Sequence, residues 1–382
     1  MPKATYLDYA AATPLEKRVL AAMEPYFTEN FHNPSASYLA ARRSRQALQD
    51  ARAYVAGYLG ARPSEIIFTA GGTEANNLAI QGVMRRFPGG ELLVSSLEHD
   101  SILAPAGLFK SKQIPATTKG VVDLAATARL ITERTVLISV AWVNSELGTL
   151  QPLKEIIRLV EKIRHQRLKR GQTLPLYMHT DAAQAATYFE LKVARLRIDL
   201  MSINGGKIYG PKQSGALYVR AGTLLKPLIL GGGQESSYRS GTENVAGCVG
   251  LAKALQIVQV RREAEFKRLT ELRDLFIFGL QKQVRGAVVT GVGAPRAPHI
   301  VHVSFAGIDG ERLMMQLDEL GIQCAVGSAC SASRDEPSHV LLAIGMDETT
   351  ARSSLRFSLG QSSKKADILK TIKALKKLVI TS

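Results

Sequence analysis

Over roughly its first 250 residues the chain alternates short apolar runs with stretches long enough to hold a helix, and this rhythm constrains the fold more than any other feature. The strand-like runs lie at Glu65 to Thr69, Glu91 to Ser95, Thr135 to Val143, Leu176 to Thr180, Asp199 to Ile203 and Gly215 to Val219. Parallel strands need a crossover between them, usually a helix, so the alternation predicts an α/β domain with a mostly parallel central sheet. Thr13-Pro14-Leu15-Glu16 predicts a helix start, with Thr13 as cap, Pro14 at the first helical position and Glu16 closing the box. From about Glu243 to Val284 the pattern becomes one long, charged, amphipathic helix without proline. A strand at His299 to Phe305, a helix at Gly310 to Leu320, a strand at Ser353 to Ser358 and a helix at Lys364 to Leu378 follow. These predict a smaller α+β domain, formed by 1–13 with 256–382, beside a large domain over 14–255.

Composition bounds the setting. The 382 residues suffice for two ordinary domains, and no run approaches the roughly 18 apolar residues of a membrane span. The N-terminus has no apolar signal region, so export is not expected and the cytoplasm is. The 3 cysteines, Cys248, Cys324 and Cys330, are too few for a disulfide framework and fit a reducing compartment. No zinc-type spacing is present, so no metal is expected. The net charge of +16 favours acidic partners, but its densest cluster, Arg164-His165-Gln166-Arg167-Leu168-Lys169-Arg170, sits at a predicted helix end, where cations suit the dipole. It lacks interleaved aromatics, and direct nucleic-acid binding is not expected.

The chemistry starts at Asn204-Gly205-Gly206-Lys207-Ile208-Tyr209-Gly210-Pro211. A phosphate-binding P-loop would require glycine where Met201 stands and Ser or Thr where Ile208 stands, so Lys207 is not a P-loop lysine. Ala70-Gly71-Gly72-Thr73-Glu74 follows a strand and opens a helix, where free N–H groups and the Thr73 hydroxyl can receive an anion; a plain capped turn would leave the same signature. Asp181 ends a strand, where ligands of open α/β sheets gather, as an anionic partner for a ring nitrogen or simply as a helix cap. His99, in Glu98-His99-Asp100, follows another strand and faces the same edge, suited to stacking and proton transfer. A lysine, an aspartate and a phosphate cup are the parts a pyridoxal phosphate enzyme needs: the first for a Schiff base, the second for the ring nitrogen, the third for the phosphate.

With these motifs in place, the sequence resembles the cysteine desulfurases, in the class V branch of the aminotransferase-like pyridoxal phosphate enzymes. The resemblance runs from Tyr6-Leu7-Asp8-Tyr9-Ala10 to Arg352-Ser353-Ser354-Leu355-Arg356-Phe357-Ser358. It implies a large cofactor-binding domain and a small domain carrying a long loop around Cys330, in Gly327-Ser328-Ala329-Cys330-Ser331. It also implies that Gly72, Thr73 and Asn204 hold the cofactor phosphate and that His99 stacks on the ring and moves protons. Asn144 would contact the phenolic oxygen or the substrate carboxylate, Asp181 the ring nitrogen, and Gln184 the phenolic oxygen. Thr242 would reach the phosphate of the neighbouring subunit of a homodimer, and Arg356 would capture the α-carboxylate of L-cysteine. Lys207 and Cys330 complete the catalytic set. The implied reaction gives L-alanine and a persulfide on Cys330, passed to a protein acceptor such as an iron-sulfur scaffold or a thiolation carrier. Small neighbours keep Cys330 accessible, whereas Cys248 and Cys324 read as packing residues.

The sequence departs from the family pattern before the lysine, where the usual Ser, small residue, His, Lys reads Asn204-Gly205-Gly206-Lys207. A missing charge-assisted bond at 206 would be worth roughly 1.5–3 kcal/mol, which predicts weaker cofactor retention. A related β-elimination such as a selenocysteine lyase, or a non-catalytic scaffold that has lost the cofactor, remain the alternatives at this stage.

Overall fold

The computed structural model describes residues 4–327 and 336–381. At its centre is a seven-stranded sheet built from β1 (Ile66–Thr69), β2 (Glu91–Ser95), β3 (Ser111–Ile114), β4 (Thr135–Ser139), β5 (Tyr177–Asp181), β6 (Leu200–Asn204) and β7 (Gly215–Val219), in the order β1-β7-β6-β5-β4-β2-β3. All neighbours are parallel except β7, which runs against both β6 and β1. The apolar runs are buried on both faces, as a sheet covered by helices requires. The α/β fold with a mostly parallel sheet expected from the sequence is what the chain adopts.

Three local expectations need correction. β3, Ser-Lys-Gln-Ile, is half exposed and too polar to register as an apolar run; it closes the sheet as an edge. β4 ends at Ser139 rather than Val143, and residues 140–144 leave the sheet to line a cavity while Trp142 N–H still bonds the Asp181 carbonyl at 3.0 Å. The first helix, α1, spans Lys17–Met23, and Thr13 does not cap it. The Thr13 hydroxyl instead donates to the Gly206 carbonyl (3.1 Å) and accepts from the Tyr209 N–H (2.8 Å).

The helices that matter for the site are α2 (Gly72–Arg86), α3 (Asp100–Ala106), α4 (Leu153–Lys169), α5 (Val245–Gln283), α6 (Gly310–Glu319) and α7 (His339–Ala343). The 39-residue α5 serves two apolar cores: Leu251, Leu255 and Val258 pack with Met178 and Ile203 of the main sheet, while Leu269, Phe276 and Leu280 pack with Leu7, Val303 and Phe357. The second core lies on a four-stranded antiparallel sheet of β8 (Ala287–Val289), β9 (Ile300–Phe305), β10 (Ala325–Val326) and β11 (Ser354–Ser358), ordered β10-β11-β9-β8. Thr5–Tyr6 pairs with Ile322–Gln323, and Asp8 bridges Ser358, so the N-terminal segment lies beside β11.

The basic cluster on α4 is partly internal. Arg167 is 5% exposed and donates to carbonyls of Thr132, Thr135, Leu174 and Pro175, while Arg164 pairs with Glu161 and Asp199. No described helix is long and apolar enough to cross a membrane.

Candidate active site

The C-terminal ends of β2, β4, β5 and β6 surround a cavity of about 170 Å³, the edge at which open α/β sheets bind ligands. Gly72, Thr73, His99, Asn144, Asp181, Gln184, Asn204, Lys207 and Arg356 all line it, so residues far apart in sequence converge on one space. Thr242 does not; it is exposed beside a separate depression with Glu235 and Arg239. Cys330 lies outside the described residues.

Lys207 ends a short turn, Gly205–Lys207, directly after β6. The Asn204 side chain accepts the Gly206 N–H at 3.0 Å and so tightens the turn. Tyr209 beyond it has φ +62°, left-handed backbone that costs a non-glycine residue roughly 1–2 kcal/mol. Thr13 and the Gln361 N–H, which donates to the Tyr209 hydroxyl at 2.9 Å, hold that conformation. Lys207 Nζ donates to the Ala10 carbonyl at 2.8 Å and also to that of Ala11.

Opposite stands Asp181. Its Oδ2 accepts from Asn76 Nδ2 at 2.7 Å and its Oδ1 from the Ala183 N–H at 2.8 Å. Asn76 Nδ2 also reaches Ser101 Oγ (2.9 Å), which lies 2.9 Å from His99 Nδ1. The Ser101 N–H donates to the same Nδ1 at 3.0 Å; an N–H can only donate, so the neutral His99 ring carries its proton on Nε2.

The anion cup forms where β1 meets α2. Gly71 has φ +132°, and a Cβ on Gly215 would lie 2.6 Å from Gly71, so both positions require glycine. The N–H groups that open the 15-residue α2 lie beside Thr73, Asn204 and Gly206.

Arg356, on β11 and 4% exposed, donates from Nη2 to Asp8 Oδ1 at 2.8 Å and from Nη1 to the Ser145 carbonyl at 3.2 Å. Its buried Nε has no partner, a position that a carboxylate entering the cavity would satisfy. The side chains of Asn144 and Gln184 are largely committed. Asn144 Oδ1 accepts from the N–H groups of Glu146 and Leu147 and its Nδ2 donates to the Leu97 carbonyl. Gln184 spans Ala10 and His299. Each has one amide hydrogen beyond those these bonds use.

Sequence reasoning missed four contributors. Asn76 is a buried helix residue in a run of polar ones, and nothing in its spacing marks it. Glu98 is fully buried in the cavity wall, with Oε1 accepting from Ala141 N–H and Oε2 unpartnered; burial, with Asp181 adding to it, pushes its carboxyl well above the usual carboxylate range. His339 enters the wall with its Nε2 2.8 Å from the Glu98 carbonyl. Glu146, also raised by burial, accepts from Ser338 Oγ at 2.7 Å, and a Cβ on Gly327 would lie 3.5 Å from its Oε1. Gly327 and Ser338 flank residues 328–335, so the chain on either side of Cys330 meets the cavity wall at Glu146. The other thiols are poor nucleophiles: burial pushes Cys324 up to about 12 and raises Cys248 further.

The donor set fits pyridoxal phosphate. An amine and a carboxylate share the cavity, an anion cup opens at one end, and the buried Asn76 Oδ1 and Arg356 Nε await partners. Lys207, Asp181, Thr73 and the α2 terminus are the groups that would hold it.

Comparison with known proteins agrees. The family described as aminotransferase class-V matches residues 5–370. Cysteine desulfurase IscS of Dictyoglomus turgidum is 39% identical over 386 residues, covering 99% of this chain and 95% of that protein. Among solved structures, a NifS-like protein superposes with a TM-score of 0.90 at 30% identity, covering 99% of this chain and 100% of that one. SspA, solved in complex with cysteine, gives 0.78 at 34% identity over 93% of this chain and 98% of its own.

Proposed function

The chain belongs to the class-V aminotransferase family, and from that premise we propose that it is a pyridoxal phosphate-dependent cysteine desulfurase. It converts L-cysteine to L-alanine and leaves the sulfur as a persulfide on Cys330. The observation that carries this reading is the shared cavity of Lys207, Asp181 and a buried Arg356 whose Nε is unpartnered.

Pyridoxal phosphate, when bound, supplies an electron sink for bonds broken next to the amino group of the substrate. The protein supplies the rest. Lys207 would hold the cofactor covalently, and its amine would take and return protons. Asp181 would keep a proton on the ring nitrogen, and Asn76 holds Asp181 in place. His99, with its proton on Nε2, is a stacking partner and a proton donor. Arg356 would bind the α-carboxylate and so fix the orientation of cysteine in the cavity. The Cys330 thiolate attacks the substrate sulfur; a sulfur–sulfur bond forms, the carbon–sulfur bond breaks, and the carbon left behind gains a proton to give alanine.

Thr242 completes the phosphate site of a second copy in a homodimer, a role that its exposure permits. Residues 14–255 act as the cofactor domain, with 1–13 and 256–382 as the smaller one. The enzyme works in the cytoplasm and passes its sulfur to a protein acceptor, an iron-sulfur scaffold or a thiolation carrier. The test is to incubate the protein with L-cysteine, cofactor and a thiol reductant and to quantify alanine and sulfide. Equimolar products from the wild type and none from Lys207→Ala are expected; no alanine from the wild type would refute the activity.

A further inference from the structure

The cup that receives the cofactor phosphate is short of positive charge. It opens into a solvent-facing depression lined by Gly71, Thr73, Glu74, Asn204, Lys207 and Lys212, among others. Glu74 is already met by Arg239 at 3.0 Å and the Ala70 N–H at 2.9 Å. Lys207 is committed to the aldehyde end of the cofactor. A phosphate monoester at neutral pH carries close to two negative charges, and a helix terminus offers only about half a unit of positive charge.

Position 206, where the family resemblance expects an imidazole, is open. A Cβ on Gly206 would meet Asn204 Oδ1 at 3.4 Å, then Lys212 Cδ at 3.7 Å and Cα at 3.9 Å, all ordinary contacts, and its φ is not in the glycine-favouring region. The Lys212 stem therefore runs alongside the space an imidazole would fill. Its ammonium donates to the Thr13 carbonyl at 2.5 Å, which anchors it at the rim with two further N–H donors.

We infer that Lys212 is a ligand of the cofactor phosphate, supplying through Nζ the positive charge for which position 206 has no side chain. This rests on reading the cavity as a pyridoxal phosphate site. Lys212 takes no part in bond breaking; it acts on retention of the cofactor and on discrimination between phosphorylated and unphosphorylated forms.

The test is equilibrium titration of apoprotein with pyridoxal phosphate and, separately, with pyridoxal, which lacks the phosphate. Lys212→Gln keeps a donor for the Thr13 carbonyl but no charge. It is expected to weaken pyridoxal phosphate binding about tenfold, the lower end for a charge-assisted bond at an exposed rim, and to leave pyridoxal binding unchanged. Lys212→Arg should retain the preference, and Gly206→His added to Lys212→Gln should restore much of it. If Lys212→Gln does not fold, Lys212→Ala carries the same comparison. Equal losses for both ligands would mean a structural role only, and no loss for either would mean no contact; both overturn the inference while leaving the function standing. Failure of wild-type protein to bind pyridoxal phosphate at all would overturn both.

Discussion

Asn76 Nδ2 lies 2.7 Å from Asp181 Oδ2, and the same nitrogen lies 2.9 Å from the hydroxyl of Ser101, which in turn bonds His99. One buried amide thereby joins the carboxylate proposed to pair with the ring nitrogen to the histidine proposed to stack on the ring. Asn76→Leu, similar in size and without hydrogen-bonding atoms, is expected to lower alanine formation by about tenfold to a hundredfold, the worth of a hydrogen bond to a charged group. Circular dichroism should show an intact fold. Unchanged turnover would remove Asn76 from the site.

Arg356 is held by Asp8 across 2.8 Å, so the N-terminal segment orients the proposed carboxylate receptor. A lysine at 356 would keep charge without the planar fork. Arg356→Lys is expected to raise KM for L-cysteine about tenfold or more with a smaller change in kcat, and Asp8→Asn to raise KM less. Steady-state kinetics on both variants check this, and an effect confined to kcat would contradict it.

The Thr13 hydroxyl clamps the turn that bears Lys207, satisfying both Gly206 and Tyr209. Thr13→Val is nearly isosteric but strands the buried Tyr209 N–H, while the Gly206 carbonyl still accepts from the Thr13 N–H at 3.2 Å. Urea denaturation should show a loss of about 1–3 kcal/mol for the stranded group at most. A loss below about 0.5 kcal/mol would mean that the clamp contributes little.

Burial lowers His179, between β4 and β6, to about 3, and does the same to His299 and His302. These rings are neutral in the folded protein, whereas in the unfolded chain each titrates near 6.5. Their contribution to stability is therefore whole above about pH 6.5 and shrinks as pH falls toward 3, because the unfolded chain takes up protons that the fold refuses. In His179→Gln, thermal melts between pH 8 and pH 5 should show a shallower fall than in wild type. Parallel curves would contradict this.

The strands of the main sheet other than β3 were legible because each is buried on both faces and therefore rich in apolar residues, and the long helix α5 because no proline interrupts its 39 residues. The edge strand at Ser111–Ile114 was not, since exposure removes the need for apolar residues. Several residues that line the cavity were legible as well, because a lysine after a strand or a glycine turn before a helix leaves a local pattern. Asn76, Glu98, Glu146 and His339 support those residues through contacts distant in sequence, which leave no such pattern. Thr13 misled for the opposite reason: it fits a helix cap locally, but its hydroxyl is claimed by a turn nearly two hundred residues away.

We propose that Lys207 stands in a working pyridoxal phosphate site whose substrate is cysteine. The most direct measurement is the visible absorption spectrum of the pure protein with added cofactor, before and after L-cysteine, for the wild type and Lys207→Ala. A protein-bound cofactor band that is absent in Lys207→Ala and that shifts when cysteine is added to the wild type is expected. No band in the wild type with excess cofactor, or a band indifferent to cysteine, would contradict it.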